Sequence, residues 1–185
     1  MVPARFFVTY QGRIVSALPV TPSVDAPARR PGTLVAAIGV AVIAALASIL
    51  NGIMIATGGT ELVRDLLVKA GMPPEMSDGD LELAVQLVGY ESLDDFVGTF
   101  EMRGYLAVAA GAALLVFALL MRKAATWART LVTVASLGTI LFSIIIVGDE
   151  TTGMMAGLAM LTILGSVLVI VLTWLPANGR YAKTA

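Results

Sequence analysis

Four long apolar runs without a charged residue constrain this chain more than any other feature. They cover residues 33–57, 104–121, 130–147 and 153–175. At a helical rise of about 1.5 Å per residue, runs of this length cross a hydrocarbon layer of about 30 Å. They are apolar on all sides, whereas a surface helix of a soluble protein needs a polar face. The sequence therefore predicts an all-α fold, a transmembrane four-helix bundle with a small helical external segment between spans 1 and 2.

The composition excludes several classes of function. Hydrophobic residues make up 58% of the chain and charged residues 14%, with a mean hydropathy of +0.90. Cysteine and histidine are both absent, which removes disulfides, thiolate nucleophiles and imidazole chemistry. The net charge of −1 is spread without a basic face, so we expect no nucleic-acid partner. We also expect no cofactor.

The distribution of charge predicts the orientation in the membrane. Only Arg64, Lys69 and Arg103 of the twelve basic residues lie in segments 58–103 and 148–152, which hold twelve of the thirteen acidic residues. Positive charge near span ends marks the cytoplasmic side. We therefore expect a bacterial plasma-membrane protein with a disordered cytoplasmic lead (1–32), a cytoplasmic loop (122–129) and a cytoplasmic tail (176–185). Residues 58–103 and 148–152 would be external.

The second external segment, 148–152, interrupts the apolar C-terminal third with Asp149 and Glu150. Gly148 and Gly153 flank the acids, as is typical of a turn between two spans. Two adjacent acids offer too few oxygens for calcium, which takes six or more. We interpret the segment as a turn and not as a metal site.

Small residues predict where the spans pack, because close backbone approach drives helix association in lipid. In span 1 they share one arc of the helical wheel: Ala37, Ala41, Ala44, Ser48, Asn51 and Gly52. In span 2 Gly104, Gly111 and Ala118 recur at intervals of seven, together with Ala107. Span 4 begins with a GxxxG pattern, Gly153 to Gly157, which predicts a further close approach.

Polar residues inside the spans allow two interpretations. Span 3 carries a stripe of hydroxyl groups, Thr133, Ser136, Thr139 and Ser143. The stripe either stabilises helix packing by hydrogen bonds or, with Asn51, lines a polar path. An unpaired amide in hydrocarbon costs several kcal/mol, so Asn51 should find a partner: a span 3 hydroxyl, a carbonyl at the outer end of span 1, or a ligand.

The external segment 58–103 reads as short amphipathic helices. Gly71 and the following prolines end the first helix, and Ser77 and Asp80 have the spacing of a helix start. Its apolar stripes comprise Leu62, Leu66, Leu81, Val85 and Val88. A segment of this size is too small to rely on a core of its own. These residues must pack on each other, on the bundle or on another protein, and we expect a partner protein.

The acidic residues of this segment do not assemble a recognisable active site. Asp78, Asp80 and Glu82 lack the calcium-loop spacing, and acids are favoured in the first turn of a helix. Asp94 and Asp95 are neighbours that point about 100° apart on a helix, so they cannot act on one substrate together. We expect neither a metal site nor enzymatic activity.

The segments "RRPGTLVAAIGVAVIAALASILNGI" and "TWLPANGRYAK", at the start of span 1 and the end of span 4, resemble uncharacterised four-span membrane proteins of actinobacteria. The resemblance implies no catalytic residues. In topology the chain also resembles the claudin and tetraspan layout, without the paired loop cysteines of those families.

Two functions follow as expectations. The first is a non-enzymatic scaffold or accessory subunit that binds another membrane protein, or a second copy of itself, through the external helices and the span faces, with membrane lipid around it. The alternative is a small transport or channel component for a neutral or lipid-like solute. Ion-coupled transport usually needs ionisable groups within the membrane, and the four runs contain none.

Overall fold

The computed structural model describes residues 30–123, 125–148 and 152–183, and these ranges contain helices and no strand. The helices are α1 (Gly32–Ala56), α2 (Gly59–Lys69), α3 (Asp78–Leu87), α4 (Leu93–Leu120), α5 (Thr126–Gly148), α6 (Gly153–Thr173) and α7 (Pro176–Tyr181), with a 3₁₀ turn (Met121–Lys123) after α4. Four of them, α1, α4, α5 and α6, are long and apolar enough to cross a membrane. The predicted all-α four-helix bundle is confirmed, and the chain is a multi-pass membrane protein.

The four long helices form a ring in which each packs on two neighbours. α1 packs on α4 and α6, and α5 packs on the same two, so that α1 and α5 lie on a diagonal. One buried cluster joins the start of α1 to the ends of α4 and α6. A second joins the end of α1 to α2, α3 and the start of α4. We call these the terminal end and the cap end, and α2, α3 and the first turns of α4 form the cap.

Helix α4 links the cap to the bundle. Its 28 residues extend about 42 Å, more than the hydrocarbon thickness of about 30 Å. Phe96 and Phe100, in its first turns, are buried in the cap core. The last helix of the external segment thus continues without a break into span 2.

Local sequence signals fix the helix ends in the cap. Ser77 and Asp80 form a reciprocal capping box at the start of α3, and Ser92 accepts a backbone N–H at the start of α4. Gly71 and Gly89 follow α2 and α3 with φ of 97°, a conformation that favours glycine. The N–H of the next residue then bonds to a carbonyl five positions back in each case, which completes a Schellman cap.

The boundaries at the terminal end differ from the predicted ones. α5 begins at Thr126, so half of the predicted loop 122–129 is helical, and α7 occupies part of the predicted tail 176–185. Arg129 is buried in the first turn of α5, where its Nε donates to the carbonyl oxygen of Thr173 (3.1 Å). Most of the predicted lead, residues 1–29, and the predicted turn residues Asp149 and Glu150 lie outside the described residues.

The interface between α1 and α4 is built on backbone contact. A Cβ at Gly52 would lie 2.7 Å from the Gly104 carbonyl oxygen, and one at Gly104 would lie 2.6 Å from the Ala56 nitrogen. Gly111 also lies close to the α1 backbone, with its Cβ position 3.0 Å from the Ala45 carbonyl oxygen. The other small residues predicted for these faces are also buried: Ala37, Ala41, Ala44, Ser48, Asn51, Ala107 and Ala118.

The close approach predicted for the start of α6 is wrong within the described chain. Gly153 and Gly157 are exposed, and a Cβ at either would meet no atom within 4 Å. The close glycine of α6 is Gly165, whose Cβ position lies 2.9 Å from the Ala44 methyl group. The GxxxG spacing places two glycines on one face, but the bundle presents that face to its surroundings.

Candidate functional site

The cap has a hydrophobic core that is continuous with the bundle. Four of the five residues expected to bind a partner are buried in it: Leu62, Leu66, Leu81 and Val85. They pack with Phe96 and Phe100 of α4 and with residues of α1, α5 and α6. Leu62, Leu81 and Val85 are therefore unavailable to a partner, which corrects that expectation, whereas Leu66 lines an open cleft at the edge of this core. Because the bundle supplies the missing apolar surface, the small segment needs no independent core.

A different apolar face of α3 remains uncovered. Val88, the fifth predicted residue, is 56% exposed, and Leu83 and Leu87 are 62% and 83% exposed. Leu83 and Leu87 are four residues apart, so they lie on the same side of the helix. α3 is not among the four helices long and apolar enough to span a membrane, where lipid would cover exposed apolar side chains. We call Leu83, Leu87 and Val88 the α3 face.

An open cleft of about 380 Å³ adjoins the α3 face. Val88 belongs to both the α3 face and the cleft wall. The remaining wall comes from α2 and the residue after it, the α3–α4 loop, α4 and the end of α5: Leu66, Leu67, Ala70, Tyr90, Phe96, Phe100, Arg103 and Gly148. This volume is at the lower end of the range for small-molecule sites, and it suits one or two large side chains.

Three aromatic rings pack on one another in the cleft wall. Tyr90 and Phe96 meet edge to face with ring centroids 4.4 Å apart, and Phe96 and Phe100 lie 5.0 Å apart. The Arg103 guanidinium lies 5.1 Å from the Phe100 ring centroid, within range of a cation–π interaction. The wall is thus apolar with one cationic edge.

The surface around the cleft is strongly acidic. Residues 58–103 contain ten acidic and three basic side chains, a net charge of −7. Arg64 is already engaged with Glu61 (3.1 Å) and Asp78 (3.5 Å), which ties α2 to the start of α3. Asp80 is held as the carboxylate, because hydrogen bonds from the Ser77 hydroxyl and backbone N–H lower its pKa. The cap therefore presents an apolar patch inside a negative field.

Asn51 makes no hydrogen bond to a span 3 hydroxyl group in the described chain. Its Nδ2 donates to the Met155 carbonyl oxygen on α6 (3.2 Å), which is none of the expected partners, and its Oδ1 is buried without a hydrogen bond in the described chain. Thr139 instead bonds to Ser166 (2.9 Å), eleven residues beyond Met155 on α6. This separates the two polar contacts by about 16 Å along the bundle.

The hydroxyl stripe of α5 is divided among separate contacts. Thr133 donates to the Arg129 carbonyl oxygen and accepts a hydrogen bond from the Trp174 indole. Ser136 is buried without a partner for its Oγ among the described residues, and Ser143 is also buried. Of these hydroxyl groups, that of Thr139 bonds to α6, and none bonds to Asn51 in the described chain.

Two buried polar residues at the terminal end were not singled out from the sequence. Asn178 of α7 is fully buried, donates to the Leu172 carbonyl oxygen (2.8 Å) and accepts from the Thr33 hydroxyl (2.8 Å). Arg129 is 6% exposed. Pro176 at the first position of α7 was a usable signal for that helix. Nothing in the local sequence marks Arg129 as buried, because its partner is 44 residues away.

No metal site is evident in ranges 30–123, 125–148 and 152–183, where no three acidic side chains come together in a ligand-like group. Comparisons with known proteins add no assignment, since no family model, curated protein or solved structure matches this chain. The resemblance to uncharacterised actinobacterial proteins therefore stays a prediction.

Proposed function

We propose that this protein is a non-enzymatic accessory subunit of a bacterial cell membrane, which binds a partner membrane protein through its cap. Among the described residues, the terminal end carries basic side chains without acidic ones, Arg30, Arg122, Arg129, Arg180 and Lys183, which supports cytoplasmic termini and an external cap. The observation that carries the proposal is the α3 face, which stays exposed although the cap core beneath it is complete.

The apolar cleft and the negative charge of the cap indicate what kind of partner surface would bind there. An apolar side chain of the partner enters the cleft beside Val88, and apolar neighbours cover Leu83 and Leu87. Large side chains that fill pockets supply most of the binding energy at protein interfaces. With −7 on residues 58–103, the cap attracts a partner whose external surface is basic around an apolar anchor.

A second copy of the chain is a weaker candidate for this surface. Two caps would each contribute the same negative charge, and like charges across an interface cost several kcal/mol. Anionic headgroups would be repelled for the same reason. The charge therefore favours a different protein over self-association or the membrane surface.

The test uses the absence of native cysteine. A Leu87→Cys variant carries a unique thiol for a photo-crosslinker, and a Leu164→Cys variant serves as control because Leu164 is 68% exposed on the bundle surface. After gentle extraction, we expect the Leu87→Cys variant, but not the Leu164→Cys control, to crosslink to one partner in stoichiometric yield, and mass spectrometry identifies that partner. Crosslinks to lipid alone, or to a second copy alone, would refute the proposal.

A matched pair of substitutions measures the contribution of the α3 face. Leu87→Glu removes the burial of a leucine, worth about 2 kcal/mol or about thirtyfold in affinity, and adds a charge. Thr60→Glu adds the same charge at an exposed position in the first turn of α2, where an acid is tolerated. Co-purification should fail for the first variant and persist for the second.

One observation favours the alternative of a transport component for a neutral or lipid-like solute. Asn51 Oδ1 and Ser136 Oγ are buried without hydrogen bonds within the described chain, so each could bind a passing polar group. Reconstituted protein would then move such solutes, and Asn51→Leu would reduce the flux. Vesicles with no flux above the protein-free rate would eliminate this alternative.

A further inference from the structure

Arg129 lies in the first turn of α5, where neighbouring groups hold its guanidinium in one orientation. Its Nε donates to the Thr173 carbonyl oxygen at the end of α6 (3.1 Å). The guanidinium carbon lies 4.8 Å from the centroid of the Trp174 ring. On the α7 side, Nη1 lies 3.9 Å from the Cβ position of Gly179. Nε uses one of the five N–H donors, which leaves four at Nη1 and Nη2.

The charge of Arg129 has no acidic counterpart in the described chain. No salt bridge there involves it, and every acidic residue in the described ranges lies between positions 61 and 101, toward the cap end. The terminal end instead adds further basic residues, Arg30, Arg122, Arg180 and Lys183. A buried cation without a counter-charge carries a desolvation penalty of several kcal/mol. This arrangement favours an anion supplied from outside the chain.

The two tryptophans place this group at the level of the lipid headgroups. Trp127 and Trp174 are 57% and 49% exposed at the terminal end, and tryptophan is enriched at the membrane–water interface. Since Arg129 stacks on Trp174, its guanidinium lies at the depth where lipid phosphates are found. A guanidinium can bind two phosphate oxygens at once.

We propose that Arg129, with Trp174 and α7 beside it, binds the phosphate of an anionic phospholipid. Inorganic phosphate has the same recognition chemistry, but a lipid carries its phosphate at this depth already. The proposal needs only that the terminal end lies at a bilayer surface, and it is independent of the function proposed for the cap.

The experiment reconstitutes the full chain in phosphatidylcholine nanodiscs that contain a minor fraction of phosphatidylglycerol. Native mass spectrometry after mild extraction measures the phosphatidylglycerol retained per protein. Arg129→Gln is compared with Arg122→Gln, which removes the same charge from an exposed side chain at the same end. Parallel samples contain diacylglycerol, which lacks the phosphate, or added inorganic phosphate as competitor.

The size of the loss in lipid retention distinguishes a specific phosphate site from general electrostatic attraction to the membrane. One basic residue near an anionic surface contributes about fivefold in lipid association. Arg122→Gln should therefore lower phosphatidylglycerol retention by no more than this factor. A charge-assisted hydrogen-bonded pair contributes more, so we expect Arg129→Gln to lower retention by at least about tenfold. Diacylglycerol should not be retained by either protein.

Arg129→Lys is a second variant, which tests the proposal even if Arg129→Gln fails to fold. Lysine keeps the charge but lacks the planar group that bonds to Thr173 and a phosphate together, so retention should fall while the helical circular dichroism is unchanged. Equal loss in Arg122→Gln and Arg129→Gln, or a lysine variant with wild-type retention, would overturn the proposal. So would absence of retained phosphatidylglycerol in the wild type, or full displacement by inorganic phosphate, which would reject the lipid as ligand.

Discussion

Substitution of Gly104 by alanine tests whether the α1–α4 contact holds the bundle together. The new Cβ would lie 2.6 Å from the Ala56 nitrogen and 2.7 Å from the Gly52 carbonyl oxygen. Both are backbone atoms of α1, so no side-chain rotation can relieve the overlap. Ordinary contact begins at 3.4 Å, and the helices must therefore separate locally by about 0.8 Å, a forced expansion of a packed interface.

The expected destabilisation follows from opposing terms. Overpacking costs about 1–3 kcal/mol. A local separation of this size would also stretch the Ser48 Oγ to Ala107 carbonyl bond, now 3.1 Å, beyond hydrogen-bonding range, at about 1 kcal/mol. Replacing a helical glycine by alanine returns about 1 kcal/mol. We expect Gly104→Ala to lower the free energy of unfolding by about 2 kcal/mol.

The matched control is Gly157→Ala, the same change in a span where a Cβ meets nothing within 4 Å. It should be neutral or stabilising by up to about 1 kcal/mol. Both variants are unfolded by denaturing detergent and followed by circular dichroism. Equal stability of the two variants would refute the argument that backbone contact at Gly104 limits the approach of α1 and α4.

Three further changes test other parts of the fold. Leu81→Ala empties a fully buried cap position and should cost about 2–5 kcal/mol, whereas Leu83→Ala at an exposed position should stay within about 0.5 kcal/mol in thermal unfolding; similar losses would disprove the assignment of the α3 face. Ser77→Ala should raise the pKa of Asp80 toward its ordinary value of 3.8, seen by NMR titration, because the variant loses the Ser77 hydroxyl hydrogen bond, which lowers this pKa most, and keeps the backbone N–H bond. In the wild type, the lowered pKa of Asp80 contributes to the stability of the fold. This stabilisation is present above pH 3.8 and is lost as the pH falls through the lower folded-state pKa of Asp80. Asn178→Ala removes two partly buried hydrogen bonds and should cost about 1–3 kcal/mol, measured as faster amide exchange across α7; unchanged exchange would contradict it.

The membrane helices could be predicted from the sequence because their signal is local. Length and uniform apolarity define α1, α4, α5 and α6 without knowledge of any neighbour. Capping residues such as Ser77 and Gly71 act within a few positions of their partners, so the ends of α2 and α3 were also readable. The helical period likewise identifies which small residues share a face of α1.

The helical period does not reveal which neighbouring helix a face contacts. In this protein the tertiary structure determines that contact. Gly52 and Gly153 belong to similar small-residue patterns, yet the first contacts the α4 backbone and the second is exposed. Asn51 bonds to α6 because α1 and α5 lie on a diagonal of the ring. The order of helices around the ring is a property of the assembled bundle.

For the candidate sites, the sequence determined the apolar, acidic character of residues 58–103, since composition and net charge are fixed by the residues alone. Only the fold decided that Leu81 and Val85 serve the core while Leu87 is exposed. Only the fold buried Arg129 against Trp174. Burial depends on contacts between distant segments, whereas hydropathy and helical period are properties of neighbouring residues, and this difference separates what could be predicted from what could not.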